Sequence, residues 1–219
     1  MKSEIILALD VDSLAQAGYF ARKLYPKIKI FKVGLRLYTA AGPKVLRMIR
    51  QRGGEIFLDL KLFDIPNTVA QAVREAVRHK IKMLTLHISG GQEMLKAAVS
   101  AAKDEAKILK IKRPLLVGVT VLTSQKTQPG QVLKLAKIGI RSGLDGVVCS
   151  AQEARLLRNR IKRKFIIVTP GIRPPGIKKN DQKRTATVKQ AVQAGSNFLV
   201  IGRPILEAKD PLKALRSLQ

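Results

Sequence analysis

Cysteine, histidine and tryptophan are scarce in this sequence, which has one cysteine, two histidines and no tryptophan among 219 residues. One cysteine cannot form an internal disulfide, and Cys149, which follows two valines, is predicted to be a small buried core residue. The sequence has no cysteine cluster, no pair of histidines at ligand spacing, no dinucleotide glycine fingerprint and no P-loop. We therefore expect no metal and no organic cofactor.

Long hydrophobic runs are also missing. The first apolar stretch covers residues 5–9 and stops at Asp10, which is too short for the core of a signal peptide. No other run approaches the roughly 18 apolar residues that a membrane-spanning helix needs. The sequence therefore predicts a cytoplasmic protein without a membrane partner.

Acidic residues are few: 15 aspartates and glutamates face 42 lysines and arginines, for a net charge of +27. Such an excess raises the question of a nucleic-acid or anionic-membrane partner. The cations are scattered at helix-like spacing beside apolar residues, which favours solvated outer helix faces. Aromatic residues make up only 4% of the chain and leave little for base stacking, so a nucleic-acid partner is not expected. The positive field would help to steer a phosphorylated anion into a site.

Short apolar runs recur about every 20 to 30 residues, each followed by a segment of helical periodicity. The predicted strands cover residues 5–9, 28–33, 56–60, 83–87, 115–121, 146–149, 165–168 and 198–201. The main predicted helices cover residues 14–24, 42–51, 68–78, 91–106, 129–139, 151–159 and 187–194, with Ser13 and either Asn67 or Thr68 as N-caps and Gly195 closing the last. This alternation predicts a single α/β domain, residues 1–219, folded as a (β/α)₈ TIM barrel. A doubly wound sheet remains the alternative.

The third predicted strand ends in a D-x-K-x-x-D motif formed by Asp59, Lys61 and Asp64. Side chains two apart on a strand share a face, so Asp59 and Lys61 should lie with Phe57. Charges removed from water cost several kcal/mol per ion unless they are paired. The motif is therefore either a structural ion pair or a reaction site, and its pattern favours the reaction site.

Further candidate site residues lie near or just after the ends of predicted strands, where a barrel places its active site. They are Asp10, Lys32, His87, Thr123, Ser124, Pro170, Arg173, Gly202 and Arg203. Lysines and carboxylates should thus converge at one end of the barrel, where opposite charges keep Lys61 protonated. His87 is more typical of a core or supporting histidine than of a catalytic one.

The last two strand ends favour a phosphate site. Gly202 allows close backbone approach, Arg203 offers a bidentate fork and Arg173 a second contact, although Arg203 could instead cap a helix or solvate a loop. Residues 169–184 form a long loop rich in glycine and proline, which is typical of a lid. Asp59 and Asp64 could in principle hold Mg²⁺, but the neighbouring lysines would compete for them.

These motifs together resemble the orotidine 5′-phosphate decarboxylase family over nearly the whole chain. The matching segments are residues 7–10, 31–34, 59–68, 87–91, 122–124, 169–173, 181–184 and 201–205. The resemblance implies a cofactor-free decarboxylation of orotidine 5′-phosphate to uridine 5′-phosphate and CO₂. It implies that Lys61 donates the proton to C6, that Asp59 lies near the departing carboxylate, and that Lys32 completes the charge array beside the ribose. Asp10 would bind a ribose hydroxyl.

The resemblance also implies a homodimer with shared sites, because Asp64 and Thr68 reach the neighbouring subunit's site in the family. Ile65 lies between them and belongs to the same substrate-binding segment. Thr123 or Ser124 would read the pyrimidine edge. The phosphate would be held by Gln182, Arg173 and Arg203, with Pro170 and Gly202 beside it.

Two other functions remain open. Metal-dependent sugar-phosphate aldolases and decarboxylases share the D-x-K-x-x-D motif and the fold, but they typically have a glutamate where Lys32 stands. A basic nucleic-acid-binding protein on a barrel scaffold is the alternative that is not an enzyme.

Overall fold

A computed structural model describes residues 3–122, 124–125, 127–174 and 184–218. Within these residues, eight parallel strands each pair with the next along the chain, and the eighth pairs with the first to close a barrel. The predicted (β/α)₈ barrel is confirmed. The doubly wound alternative is wrong, because an open sheet has two edge strands, whereas each strand here pairs with a neighbour on both sides.

The barrel strands are short and lie close to their predicted positions. They are β1 (Glu4–Ala8), β2 (Ile30–Gly34), β3 (Glu55–Leu62), β4 (Met83–His87), β5 (Leu115–Val119), β6 (Gly146–Val148), β7 (Ile166–Thr169) and β8 (Phe198–Ile201). Helices follow the strands and cover the outside of the barrel. They are α1 (Leu14–Leu24), α2 (Leu35–Ala41), α3 (Lys44–Gln51), α4 (Pro66–Arg78), α5 (Gly91–Ile108), α6 (Pro129–Arg141), α7 (Ala151–Arg160), α8 (Val188–Gln193), α9 (Arg203–Leu206) and α10 (Pro211–Arg216).

Three short helices, α2, α9 and α10, were not predicted. The helix predicted over residues 42–51 begins two residues later, and α2 precedes it as a separate helix. Gly42 separates the two with a φ of +55°, a conformation that glycine adopts without steric cost. The last helix begins at an aspartate cap, since the Asp210 side chain accepts hydrogen bonds from Leu212 and Lys213.

The predicted helix caps are partly right. Ser13 caps α1 by accepting a hydrogen bond from the Gln16 backbone, and Gly195 follows the end of α8 with a φ of +91°. The cap predicted for α4 at Asn67 or Thr68 is wrong. That helix begins at Pro66, whose fixed φ and missing N–H suit the first helical position.

Alternate residues of each strand pack into two different apolar cores, one inside the barrel and one between the strands and the helices. Inside the barrel lie Ile6, Ala8, Ile30, Phe57, Met83, Val117, Val168, Phe198 and Val200. Ile56 and Leu58 point outward and pack in the larger core between strands and helices, as the period-two pattern predicts. Ile28 begins the predicted second strand, but in the structure it precedes β2 and packs in the outer core.

Among the described residues, no helix combines the length and the apolar character that crossing a membrane requires.

Candidate active site

A pocket of about 340 Å³ opens at the carboxyl ends of the barrel strands. Every strand except β4 contributes a residue to its wall, either directly or from the loop that follows. The predicted site residues that line it are Asp10, Lys32, Asp59, Lys61, Pro170, Arg173, Gly202 and Arg203. Residues far apart in the sequence are thus brought together at the end of the barrel where enzymes with this fold bind their substrates.

Asp59 lies at the centre of a charged array in the pocket wall. The Nζ of Lys32 lies 3.0 Å from Asp59 Oδ2, and the Nζ of Lys61 lies 3.0 Å from Asp59 Oδ1. The side chain of Asp59 is 11% exposed, while those of Lys32 and Lys61 are 18% and 30% exposed. Two cations therefore flank one carboxylate where little water screens them.

The two lysines decide the protonation state of Asp59. Burial alone would raise the pKa of this carboxyl, but the positive charges of Lys32 and Lys61 and their hydrogen bonds outweigh it and lower the pKa to about 2. Asp59 is therefore ionised at neutral pH, which leaves the array with one negative and two positive charges.

A distortion in β3 aims the Lys61 side chain. The register of β3 against β4 shifts between Leu58 and Leu62, and Lys61 adopts a φ of +52°. A left-handed conformation is unfavourable for a residue with a β-carbon and persists only where neighbouring contacts hold it. Such bulges re-aim side chains near active sites, and here the ammonium group is directed back onto Asp59.

Thr85 on β4 holds this distortion in place and was not predicted. Its hydroxyl donates a hydrogen bond of 2.9 Å to Asp59 Oδ1 and accepts one of 2.8 Å from the backbone N–H of Lys61. Thr85 is 1% exposed. A threonine inside an apolar strand is an ordinary β-residue, so the only available signal was its place on the inward face, two residues from Met83.

Gly34 leaves room for the Lys32 ammonium group. A β-carbon at this position would lie 3.2 Å from Lys32 Nζ, closer than ordinary contact. Gly34 is the last residue of β2 and also lines the pocket. The space needed by the Lys32 ammonium group explains the glycine at this position, for which the sequence alone indicated no role.

The predicted phosphate residues Arg173, Gly202 and Arg203 line the pocket from the segments that follow β7 and β8. Gly202 is the N-cap of α9 and Arg203 is its first residue. Arg173 is 7% exposed, and its Nη1 donates a 3.0 Å hydrogen bond to the Ile172 carbonyl. Gly171 has a φ of +79°, which turns the chain after Pro170 toward the pocket. Two guanidinium groups and a glycine backbone thus border one region.

Asp10 lies at the rim of the pocket and is exposed. Its Oδ1 lies 3.8 Å from Nη1 of Arg36, which also pairs with Asp12. Arg36 lines the pocket as well and was not predicted, because nothing in its sequence surroundings distinguishes it from the many surface arginines.

Four predicted site residues lie outside this pocket. Asp64, Ile65 and Thr68 are exposed on the turn into α4 and its first turn, and Asp64 Oδ1 accepts a 2.7 Å hydrogen bond from the Ile65 backbone. Ser124 is exposed and does not line the pocket. Thr123 and Gln182 lie outside the described residues, as do residues 175–183 of the predicted lid.

His87 is half-buried and its ring lies 6.0 Å from that of Phe63, centroid to centroid. Burial lowers the pKa of His87, and the positive charge of Lys61 lowers it further. A neutral imidazole that does not line the pocket fits the predicted supporting position. Cys149 is buried, as predicted, and burial raises the pKa of its thiol.

In the part of the chain that the structure describes, no group of three or more histidine, cysteine, aspartate or glutamate residues could hold a metal ion. Both oxygens of Asp59 already contact an ammonium group, and Oδ1 also accepts from Thr85.

Known proteins resemble this chain over nearly its whole length. A protein named orotidine 5′-phosphate decarboxylase from Moorella thermoacetica is 44% identical over 229 residues, covering 99% of this chain and 91% of that protein. One of the same name from Vibrio campbellii is also 44% identical, covering 98% and 95%.

Solved structures give the same result. The crystal structure of orotidine 5′-phosphate decarboxylase from Lactobacillus acidophilus matches with a TM-score of 0.86 and 36% identity, covering 99% of this chain and 97% of that one. An uncharacterized conserved protein from Geobacillus kaustophilus matches with a TM-score of 0.84 and 33% identity, covering 98% of each chain. The model of the orotidine 5′-phosphate decarboxylase / HUMPS family matches residues 3–218. With this barrel and this pocket, the chain belongs to that family.

Proposed function

We propose that this chain decarboxylates orotidine 5′-phosphate to uridine 5′-phosphate and CO₂, a step of de novo pyrimidine synthesis. The observation that carries the proposal is the ion array in which Asp59 contacts Lys32 and Lys61, each at 3.0 Å, in the wall of the pocket. The names of the relatives supply the substrate, and the array supplies the chemistry that this substrate requires.

Loss of CO₂ leaves an electron pair at C6 of the pyrimidine, in the plane of the ring and without conjugation. Fixed charges already aimed at that position stabilise it most effectively, because they need no reorganisation during the reaction. The Lys61 ammonium group supplies this positive charge and then the proton that converts the carbanion to product. Asp59 holds Lys61 in place and lies near the departing carboxylate, whose negative charge it repels.

The remainder of the pocket binds the parts of the substrate that do not react. Arg203, Arg173 and Gly202 hold the phosphate, Pro170 borders it, and Asp10 binds a ribose hydroxyl. Gln182 adds a phosphate contact, and Thr123 or Ser124 reads the pyrimidine edge. Binding energy from the phosphate then helps to hold the base against the charged array.

The reaction needs no metal or organic cofactor in this proposal. A metal-dependent sugar-phosphate enzyme would require free carboxylate oxygens, whereas those of Asp59 are engaged by Lys32, Lys61 and Thr85. A lysine also stands where that class typically has a glutamate. The pyrimidine reaction is therefore favoured over the metal-dependent one.

A homodimer completes the site in this proposal. Residues 63–68 are all exposed, and Phe63 and Ile65 are large apolar residues with 62% and 66% exposure. Adjacent exposed apolar side chains are typical of an interface. Asp64 and Thr68 lie in the same segment, where they would enter the neighbouring subunit's pocket and extend the charge array.

The substitution Lys61→Ala should lower turnover of orotidine 5′-phosphate at least about 10⁴-fold, because it removes both the fixed charge and the proton donor. Asp59 keeps Lys32 and Thr85 as partners, so cooperative thermal unfolding should remain. The assay follows loss of substrate absorbance in EDTA, with Lys44→Ala, at an exposed position of α3, as the control. Full dependence on an added divalent metal, or unchanged turnover in Lys61→Ala, would contradict the proposal.

The substitution Thr85→Val should lower turnover about 10- to 100-fold, because a hydrogen bond to a charged group contributes about 1.5–3 kcal/mol. Thr169→Val is the matched control, since Thr169 is also buried but bonds Ser196 at 2.6 Å and does not line the pocket. Both variants should lose stability in calorimetry. Equal losses of turnover in the two would show that Thr85 has no special relation to the array.

If each site combines Lys61 of one subunit with Asp64 of the other, two weakly active variants, Lys61→Ala and Asp64→Asn, should restore activity when they form a mixed dimer. In a mixed dimer one site carries both changes and the other carries neither. Unfolding and refolding an equal mixture should restore about one quarter of the wild-type activity, because half of the dimers are mixed and each has one intact site. No recovery above the separate variants, with dimers present by light scattering, would place Asp64 in its own subunit's site.

A further inference from the structure

A partly buried arginine that the proposed chemistry does not use joins several segments at the catalytic end of the barrel. The Arg184 side chain is 15% exposed and pairs through Nη1 with Oε1 of Glu153 on α7. Its Nη2 donates a 3.0 Å hydrogen bond to the Leu122 carbonyl, which follows β5. Arg184 itself does not line the pocket.

The two partners of Arg184, Leu122 and Glu153, belong to or support segments that line the pocket. Leu122 lines the pocket directly. Glu153 Oε2 accepts a 2.8 Å hydrogen bond from the Ser150 backbone, and the preceding residue, Cys149, also lines the pocket. The guanidinium group therefore fixes the loops after β5 and β6 relative to each other.

The backbone beside Arg184 supports the predicted phosphate residues. Ala186, two residues further on, accepts a 2.9 Å hydrogen bond from the Arg173 backbone N–H and donates one of 3.2 Å to the Gly171 carbonyl. Both Gly171 and Arg173 line the pocket. Anchoring Arg184 thus restrains the phosphate side of the pocket as well as the side formed by Leu122.

From these contacts we propose that Arg184 is a positioning residue for substrate binding, which rests on the proposed function. It touches no substrate atom. It holds the Leu122 wall and the Gly171–Arg173 wall in a fixed relation to each other, so that base and phosphate are bound together. A planar fork with fixed donors suits this task, because one side chain contacts a carboxylate and a carbonyl in set directions.

Arg158 offers a matched control on the same helix as Glu153. It is also partly buried and joins segments through main-chain oxygens, with Nη1 donating to Phe165 at 2.8 Å and Nε to Gly195 at 3.0 Å. Phe165 and Gly195 precede β7 and β8, so these contacts lie at the end of the barrel away from the pocket. A merely structural role would make Arg184 and Arg158 equivalent in kinetics.

The test compares wild type, Arg184→Met and Arg158→Met in thermal unfolding and in steady-state kinetics with orotidine 5′-phosphate. Both variants should unfold at lower temperature. Only Arg184→Met should raise KM, by at least about ten-fold with kcat changed less than about three-fold, because it weakens ground-state and transition-state binding together. The double variant Arg184→Met/Glu153→Met, which leaves no unpaired buried carboxylate, should regain stability and keep the raised KM.

Two results would overturn the inference while leaving the proposed function intact: equal KM values for Arg184→Met, Arg158→Met and wild type, or a normal KM in the double variant. Absence of turnover in the wild type would instead remove the proposed function, and the positioning role would fall with it. Arg184→Lys gives a second measure, since it keeps the charge beside Glu153 but lacks the fork. It should keep most of the stability and still show the raised KM.

Discussion

The carboxylate of Asp59, held ionised between two ammonium groups, is the interaction on which the rest of the site depends. A charged group inside a barrel is unfavourable unless other groups replace its lost water. Lys32, Lys61 and Thr85 do so, each with an atom within 3.0 Å of an Asp59 oxygen. The left-handed backbone of Lys61 is the local conformational cost of this arrangement.

Much of the fold and part of the site could be predicted from sequence, because both follow from short-range rules. Period-two alternation placed Asp59 on the inward face with Phe57, and the alternation of strands with helices predicted the barrel. The carboxyl ends of strands then indicated that Asp10 and Arg203 would line one pocket, since parallel strands in a barrel end on one side.

The roles of Thr85 and Arg184 could not be predicted in this way. The contact of Thr85 with Asp59 depends on the register of β3 against β4, which shifts at the bulge and is set by tertiary pairing. Arg184 contacts Glu153, 31 residues earlier in the sequence, and Leu122, 62 residues earlier. Neither residue type is unusual for a strand or a loop, so no local signal distinguishes them.

The positive charge of the chain is only partly explained by an anionic substrate. Exposed cations such as Lys110, Lys112 and Lys162 lie in loops that precede β5 and β7, opposite the pocket. A five-residue strand such as β5 spans about 17 Å, beyond the screening length of about 8 Å at physiological salt. Steering of a phosphorylated substrate therefore rests on cations near the pocket, such as Arg36, Arg173 and Arg203.

The protonation state of Asp59 is the sharpest test of the charged array formed with Lys32 and Lys61. Carbon-13 NMR of labelled aspartate carboxyls, with the Asp59 signal assigned by its loss in Asp59→Asn, follows ionisation as pH falls. We expect Asp59 to stay ionised well below its ordinary pKa, toward about 2, as long as the protein remains folded, and Lys61→Ala to raise its pKa. A protonation midpoint at or above about 4 in the folded wild type would contradict this expectation, because an unperturbed aspartate titrates there.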